Sequence, residues 1–220
     1  MLVLPLSMEF ISEQLQNYAN EHTSDPSRLL MEIDRDTHLE VLKPRMLSGH
    51  FQGRLLALFS NLLKPNRILE IGTYTGYSAL CLAEGLSEHG KLFTIDVNEE
   101  LENRVRSYFS KSTYHSKIEF ILGDALACIE RLNEVWDLVF IDADKANYLN
   151  YYNAVIEKVR PGGMIILDNV LWSGKVVEET CNDTDTNALR EVNTYISNDS
   201  RVSQILLPVR DGLMVVIKNG

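Results

Sequence analysis

Two apolar runs in the second half of the chain are each followed by side chains that could bind a metal ion. Asp142 directly follows one run, and Asp168 and Asn169 end the next. Carboxylate and amide oxygens without His or Cys suit an octahedral Mg2+ that keeps positions for water or substrate, and they suit zinc poorly. An aromatic vicinal diol could place both oxygens on such an ion, which would lower the hydroxyl pKa. A divalent-metal site is therefore predicted, with Mg2+ preferred and Mn2+ or Ca2+ as alternatives.

Lys145 stands three residues after Asp142. Its amine could lie close enough to a metal-held hydroxyl to take the proton, which would make Lys145 a general base. A solvated lysine on a helix surface is the competing interpretation, and the residues alone favour it.

Residues 67–80 read Arg-Ile-Leu-Glu-Ile-Gly-Thr-Tyr-Thr-Gly-Tyr-Ser-Ala-Leu. This order predicts a buried strand, a glycine turn that brings the backbone close to a ligand, and the start of a helix. The third glycine of the G-x-G-x-x-G dinucleotide pattern is missing, and no Walker lysine follows. Glu70 at the strand end would repel phosphates and favour a cationic group. The predicted cofactor is S-adenosylmethionine, which carries sulfonium and ammonium groups and no phosphate.

Other candidate cofactor contacts lie at neighbouring strand ends. Asp96 could accept hydrogen bonds from a ribose diol, a role that dinucleotide sites share. Asp124 is placed for an adenine amino group, with capping of the following helix as the competing interpretation. Gly72, Tyr74 and Ser78 would hold the methionine part through backbone and hydroxyl contacts.

Length, charge and cysteine content limit the class of protein. A chain of 220 residues suffices for one α/β core, so we expect a single domain over 1–220, with 1–60 as its N-terminal helical extension. The net charge of -10 and the pI near 5.0 argue against nucleic-acid and membrane partners. The apolar opening at 1–6 is too short for a signal peptide or a spanning helix, so a cytoplasmic protein is expected. Three distant cysteines predict buried free thiols.

Strands and helices alternate from residue 67 onward. Parallel strands are predicted at 68–71, 91–96, 117–124, 136–142 and 164–168, and a closing hairpin at 202–209 and 213–218. Helices are predicted at 8–22, 27–42, 46–59, 99–112, 125–132, before about 159, and at 186–197. The pattern predicts an α/β, Rossmann-like doubly wound, mainly parallel seven-stranded sheet with a C-terminal antiparallel hairpin and extra N-terminal helices.

Every predicted parallel strand ends in an acid. These acids are Glu70, Asp96, Asp124, Asp142 and Asp168. Ligands of such sheets bind beyond the carboxyl ends of the strands. A single Asp at a strand end is ordinary, but five acids along one edge predict a cationic ligand.

Four segments give the chain a resemblance to a known family. They are Leu-Glu-Ile-Gly-Thr-Tyr-Thr-Gly-Tyr-Ser at 69–78, Phe-Ile-Asp-Ala-Asp-Lys-Ala-Asn-Tyr at 140–148, Leu-Asp-Asn-Val-Leu-Trp-Ser-Gly at 167–174 and Pro-Val-Arg-Asp-Gly-Leu at 208–213. With these segments in this order, the chain resembles the cation-dependent O-methyltransferases, the group of catechol and caffeoyl-coenzyme A O-methyltransferases, and most closely the bacterial members. The resemblance extends from about residue 28 to the end.

The resemblance implies roles for individual residues. Asp142, Asp168 and Asn169 are implied as metal ligands, Lys145 as the catalytic base and Trp172 as a wall for the substrate ring. The implied cofactor contacts are Met46, Ser48, Glu70, Gly72, Tyr74, Ser78, Asp96, Asp124, Ala125 and Asp142. The implied reaction is direct in-line transfer of the sulfonium methyl to a metal-bound phenolate oxygen of a catechol-like molecule. A homodimer is also expected from the family.

Two other functions fit the same sheet. A nicotinamide-dependent oxidoreductase is one, although the missing third glycine argues against it. A non-catalytic binding module is the other, although it would need none of the candidate metal and base residues. The acceptor stays undetermined, including whether it is a coenzyme A ester, because its pocket is expected in loops at 43–52 and 172–184, which vary freely over a fixed scaffold.

Overall fold

The structure, a computed structural model, describes residues 12–220. The apolar opening at 1–6 and the first part of the helix predicted over 8–22 lie outside the described residues. The helices are α1 (Glu13–Glu21), α2 (Arg28–Glu40), α3 (Gly49–Leu63), α4 (Tyr77–Ala83), α5 (Glu102–Lys111), α6 (Ala125–Arg131), α7 (Tyr148–Ile156) and α8 (Thr184–Ser197). The strands are β1 (Arg67–Ile71), β2 (Lys91–Asp96), β3 (Ile118–Leu122), β4 (Trp136–Ile141), β5 (Val159–Asp168), β6 (Val202–Leu207) and β7 (Leu213–Lys218).

The strands form one seven-stranded sheet in the order β3-β2-β1-β4-β5-β7-β6. The first five strands run parallel, and β7 pairs antiparallel with both β5 and β6. The strand order reverses between β1 and β4, which is the point where doubly wound sheets bind their ligands. The predicted fold class, including the closing hairpin, is confirmed.

Each face of the sheet buries its own apolar cluster. Along β4, Leu138 and Phe140 join one cluster, while Val139 and Ile141 join the other, because successive strand side chains point to opposite faces. Helices α2 to α5 pack on the first face and α6 to α8 on the second. All of β4 is buried. Its continuous apolar run is typical of a central parallel strand covered on both sides.

The start of β5 differs from the prediction. The sequence predicted a helix to about residue 159, a breaker at 160–163 and a strand from residue 164, but α7 ends at Ile156 and β5 already begins at Val159. Val159 pairs with Trp136 and Met164 with Leu138, so the strand bulges between them. Gly162 adopts φ +71° inside this bulge, a conformation that glycine reaches without steric cost.

The beginning of α3 also differs, and this difference matters for the site. The sequence predicted a helix from residue 46, whereas α3 begins at Gly49, which has φ +72°. The residues Pro44–Met46 form a separate 3-10 turn instead. Met46 and Ser48 therefore lie in a connecting segment and not within a regular helix.

The N-terminal helices pack unequally. Helix α2 buries Leu30, Ile33 and Thr37, whereas α1 buries no residue and leaves Leu15 and Tyr18 exposed. Cys81 and Cys128 are buried free thiols as predicted, but Cys181 is only half-buried. Within residues 12–220, none of the helices combines the length and apolar content needed to cross a membrane.

Candidate active site

The ends of β1 and β4 meet at the switch point of the sheet. The Asp142 amide donates to the Ile71 carbonyl at 2.8 Å. A Cβ on Gly72 would lie 1.9 Å from the Asp142 carbonyl oxygen, and Gly72 has φ +97°. Gly76, with φ +84°, is also constrained, because a Cβ there would lie 2.7 Å from the Phe109 ring. Both glycines of the predicted turn are therefore required by the protein's own packing, whatever ligand the turn holds.

A narrow cleft lies between this glycine turn and the segment that precedes α3. It is lined by Met46, Leu47, Ser48, Gly72, Thr73, Tyr74, Thr75, Tyr77, Ser78 and Asp142. Six of these ten were predicted from the sequence as cofactor contacts. Leu47, Thr73, Thr75 and Tyr77 were missed, although each adjoins a residue that was named. The Tyr74 hydroxyl donates to the Leu42 and Lys43 carbonyls at 3.1 and 3.3 Å, which fastens the two sides together.

Glu70 is completely buried beneath the turn. Its Oε2 accepts a hydrogen bond from the Thr94 hydroxyl at 2.5 Å, while Oε1 has no partner within residues 12–220. Burial raises the pKa of Glu70 to about 8, and the charges of Asp142 and Asp96 add to the rise, while the nearby Ser78 and Thr94 hydroxyls lower it. Ser78, which acts on Glu70, lines the cleft, so a cation bound in the cleft would lie near this carboxyl group. The site therefore fits the cationic part of S-adenosylmethionine.

Asp96 fastens the glycine turn. Its Oδ2 accepts the backbone N–H groups of Thr73 and Tyr74 at 2.9 and 2.7 Å, and Oδ1 accepts that of Asn98 at 2.9 Å. A carboxylate has about four acceptor positions, so Asp96 could accept one more hydrogen bond. Its predicted contact with a ribose stays a prediction.

Asp124 is exposed and caps α6, accepting the Ala127 N–H at 2.9 Å. This contact fits the competing interpretation of Asp124 as a helix cap. The predicted contact with adenine stays a prediction. Ala125 is buried at the first turn of α6 and belongs to the apolar core.

The candidate metal ligands lie at the ends of β4 and β5. Asp168 is only 3% exposed; its Oδ1 accepts its neighbour Asn169's N–H at 2.7 Å. Burial raises the pKa of Asp168 well above its usual value, and the negative charge of nearby Asp142 raises it further. Within residues 12–220 no group of three or more His, Cys, Asp or Glu side chains could hold a metal. The candidate donor set from the sequence is two carboxylates and one amide, a chemistry that would suit a hard divalent cation.

Lys145 is buried, so the interpretation as a solvated lysine is wrong. Its Nζ donates to Asp142 Oδ1 at 3.0 Å and to the Tyr148 hydroxyl at 2.7 Å. The Tyr148 hydroxyl in turn donates to the Asp168 carbonyl at 3.0 Å. These contacts hold the amine between the two strand ends that carry the candidate metal ligands.

Trp172 stands beside this amine. The Lys145 Nζ lies 5.8 Å from the centre of the indole ring, and the Lys175 Nζ lies 6.0 Å from it. Trp172 Nε1 is buried without a hydrogen-bond partner within residues 12–220. An aromatic molecule bound next to Lys145 would therefore meet this ring.

Besides Tyr148 and the missed residues of the cleft, two residues that the sequence analysis gave no role contact the site. Gln52 Nε2 donates to Asp168 Oδ2 at 2.5 Å from the second turn of α3. Arg210 donates to the carbonyls of Leu47 and Ser48 from the β6–β7 turn. The only sequence signal for Gln52 is that it is a polar residue among apolar ones. Arg210 lies in the segment 208–213, which contributed to the family resemblance.

Comparison with known proteins identifies the family. A family model described as O-methyltransferase matches residues 20–219. Caffeoyl-CoA O-methyltransferase of Stellaria longipes is 33% identical over 215 residues, covering 92% of this chain and 89% of that protein.

Solved structures agree with the family model. The O-methyltransferase TomG of Streptomyces achromogenes, solved in complex with SAM, superposes with a TM-score of 0.86 at 26% identity, covering 96% of this chain and 100% of that one. An O-methyltransferase of Bacillus cereus in complex with SAH gives 0.85 at 30% identity, covering 93% and 97%. The resemblance noted in the sequence is confirmed. The chain belongs to the O-methyltransferase family and is an enzyme of that class.

Proposed function

We propose that this chain transfers the methyl group of S-adenosylmethionine to a hydroxyl of a catechol-like aromatic small molecule, with the help of Mg2+ or a similar divalent cation. The observation that carries the proposal is the position of Lys145. Its buried amine contacts Asp142 at the end of β4 and, through Tyr148, the end of β5. A base, two candidate metal ligands and the cofactor cleft therefore adjoin one another, since Asp142 also lines the cleft.

The cofactor assignment is supported by the buried Glu70. Its Oε1 has no partner within residues 12–220, and Ser78 at the start of α4 lines the adjoining cleft. TomG and the Bacillus cereus protein are described with SAM and SAH. We infer that Glu70 pairs with the cofactor's ammonium group, that Met46, Ser48, Gly72, Tyr74 and Ser78 shape the cleft around it, and that Asp96, Asp124 and Ala125 contact its adenosine part.

The metal assignment is supported by the donor chemistry. Asp142, Asp168 and Asn169 would hold the ion. When bound, a divalent cation supplies positive charge that favours ionisation of the acceptor hydroxyl and orients its two oxygens. Gln52 holds Asp168 in place through its second oxygen.

In the proposed mechanism Lys145 accepts the proton of the acceptor hydroxyl at Nζ. Asp142 Oδ1 and the Tyr148 hydroxyl hold this nitrogen in place. The Trp172 ring, which lies within 6 Å of the same nitrogen, packs against the acceptor ring and excludes water. The acceptor oxygen then attacks the methyl carbon of the cofactor as the sulfur leaves. Alignment of these two partners supplies much of the rate enhancement.

The test is a screen of catechols, flavonoids and caffeoyl esters with labelled S-adenosylmethionine and Mg2+. We expect methyl transfer that a chelator abolishes and Mg2+ restores. Turnover that survives the chelator would contradict the metal assignment. An absence of turnover in all conditions, with S-adenosylhomocysteine still bound, would favour a binding module. Binding of NADH in place of S-adenosylmethionine would favour an oxidoreductase.

Several expectations concern properties outside the site. The single domain over 1–220, the homodimer and the cytoplasmic location stay predictions. Sedimentation at micromolar concentration would test the homodimer directly.

A further inference from the structure

The turn between β6 and β7 touches both loops that flank the proposed reaction. Arg210 has φ +50° and directs its Nη1 to the Leu47 carbonyl at 2.9 Å and to the Ser48 carbonyl. Leu47 and Ser48 line the cofactor cleft, and they immediately precede α3. A single guanidinium from a distant hairpin thus holds the segment that covers the cleft.

The next two residues of the same turn hold the acceptor side. The Asp211 carbonyl accepts the Leu171 N–H at 2.8 Å, and the Gly212 carbonyl accepts the Val170 N–H at 3.1 Å. Asp211 Oδ1 accepts the Ser173 N–H. A Cβ on Gly212 would lie 2.5 Å from Leu171 Cγ, so the turn and this loop pack without space between them.

The loop at 169–173 needs such support. Asn169, Trp172 and Ser173 all have positive φ, at 60°, 48° and 53°. Each such non-glycine residue costs free energy and persists only when its surroundings hold it. Two of the three are the proposed metal ligand and the proposed ring wall. The contacts from the turn are therefore placed where they fix the residues that meet the acceptor.

We propose that Arg210 and Asp211 are positioning residues, with Arg210 setting the cover of the cofactor cleft and Asp211 setting the loop that carries Asn169 and Trp172. Neither residue needs to touch a reacting atom. Because Arg210 and Asp211 are adjacent in one turn, they keep the segment at Leu47 and Ser48 and the loop at 169–173 in a constant relative position. This inference rests on the proposed function, since it assigns the two loops to cofactor and acceptor.

The first test measures binding of S-adenosylhomocysteine by calorimetry without metal. We expect Arg210→Met to weaken binding about tenfold, the effect of losing charge-assisted hydrogen bonds, and Arg210→Lys, which keeps a cationic donor, to recover part of the affinity. Arg106→Met is the matched control, because Arg106 pairs with Glu102 on the exposed face of α5. Hydrogen exchange should show faster amide exchange around residues 44–49 in Arg210→Met only.

The second test concerns the acceptor side. We expect Asp211→Ala to raise the KM for the acceptor about tenfold and to speed amide exchange at Ser173, whose N–H loses its acceptor. Binding of S-adenosylhomocysteine should change less than twofold. Asp211→Asn keeps an oxygen that can accept the Ser173 N–H, so its KM and exchange should stay close to wild type.

The outcomes separate the two proposals. A loss of S-adenosylhomocysteine affinity in Arg210→Met, together with a raised acceptor KM in Asp211→Ala, supports the positioning roles. Unchanged binding in Arg210→Met, or equal losses of both properties in both variants, overturns them. If Arg210→Met or Asp211→Ala does not fold, Arg210→Lys and Asp211→Leu, which keeps a branched side chain without an acceptor oxygen, take their places. Wild-type affinity for S-adenosylhomocysteine in the first or a wild-type acceptor KM in the second would overturn the roles. A wild-type protein that binds no S-adenosylhomocysteine would instead contradict the proposed function.

Discussion

The amide of Gln52 donates to Asp168 Oδ2 across 2.5 Å, although 116 positions separate the two residues. Gln52 is 1% exposed and Asp168 is 3% exposed, so the bond is shielded from water. It connects the second turn of α3 to the last residue of β5. Helix α3, which directly follows Leu47 and Ser48 of the cleft, therefore also restrains the candidate metal ligand Asp168.

Replacing Gln52 by Leu tests this bond. The change removes a donor that lowers the pKa of Asp168, so the carboxyl should hold its proton more tightly and bind a cation less well. We expect Mg2+ affinity to fall by about 10- to 100-fold, as for other residues that orient metal ligands. The half-saturating Mg2+ concentration for activity, or Mn2+ binding followed by electron paramagnetic resonance, would measure it. Gln204→Leu, on the exposed face of β6, is the control, and equal metal affinity in the two variants would contradict the prediction.

The buried Glu70 predicts how stability of the cofactor-free protein depends on pH. Its folded-state pKa of about 8 exceeds the reference value of 4.5, so the folded protein binds this proton more tightly than the unfolded chain. Its contribution to the free energy of unfolding is therefore present at low pH and declines between about pH 4.5 and 8, by at most about 1.4 kcal/mol per pH unit.

Asp168 acts in the same direction, because its folded-state pKa is also raised. Melting temperatures from pH 5 to 8.5 should fall less steeply for Glu70→Gln than for wild type. The exposed Glu88→Gln serves as control. Parallel curves for wild type and Glu70→Gln would rule out the buried carboxyl as the cause.

Cofactor binding should release a proton at pH 7. An ammonium group beside Glu70 favours the carboxylate, which lowers a pKa that burial had raised. Calorimetry of S-adenosylmethionine binding in buffers of different ionisation enthalpy would count the released protons. Glu70→Gln should abolish this release and weaken binding, and an unchanged proton count would place the ammonium group elsewhere.

Replacing Lys145 by Met removes the proposed base while keeping a similar apolar stem. We expect kcat to fall by about 10²- to 10⁴-fold, the usual contribution of a general base. Binding of S-adenosylhomocysteine should be retained, because Lys145 does not line the cofactor cleft. Lys111→Met, which removes a surface lysine paired with Glu32, should leave kcat unchanged. Substantial activity in Lys145→Met would show that another group takes the proton.

Replacing Trp172 by Ala removes the proposed wall for the acceptor ring. Loss of a stacked aromatic contact should raise the acceptor KM by about 3- to 10-fold, with cofactor affinity unchanged. Trp172→Phe keeps a flat ring, so its acceptor KM should lie between those of wild type and Trp172→Ala. Steady-state kinetics with the best acceptor from the screen measures the effect, and identical KM values in all three proteins would argue against ring contact.

Local patterns in the sequence were enough to predict most of the fold. The run through Ile68, Leu69 and Ile71, followed by Gly72 and Gly76, predicted the first strand, the turn and the helix that the structure contains. Apolar periodicity and turn residues act within a few positions of the chain, so they can be read without knowing what lies nearby in space. Asp96 and Asp168 end their strands, Asp142 follows β4 directly and Asp124 caps α6, because acids are favoured where strands give way to loops and caps.

The tertiary structure alone decided which of these residues meet. The buried Lys145 amine contacts the Tyr148 hydroxyl, which reaches the Asp168 carbonyl. The Asp168 carboxylate in turn accepts a hydrogen bond from Gln52 of α3. The helix was predicted to begin at residue 46, because the apolar spacing typical of a helix already starts there, but α3 begins at Gly49. In the structure, Arg210 instead binds the Leu47 and Ser48 carbonyls just before the helix. These contacts arise because the strand order brings β5, β7 and the start of α3 together. Periodicity in a sequence carries no information about contacts between residues more than a hundred positions apart. The sequence by itself therefore determined the helices, the strands and the acids at the strand ends, whereas tertiary packing determined which side chains form the site.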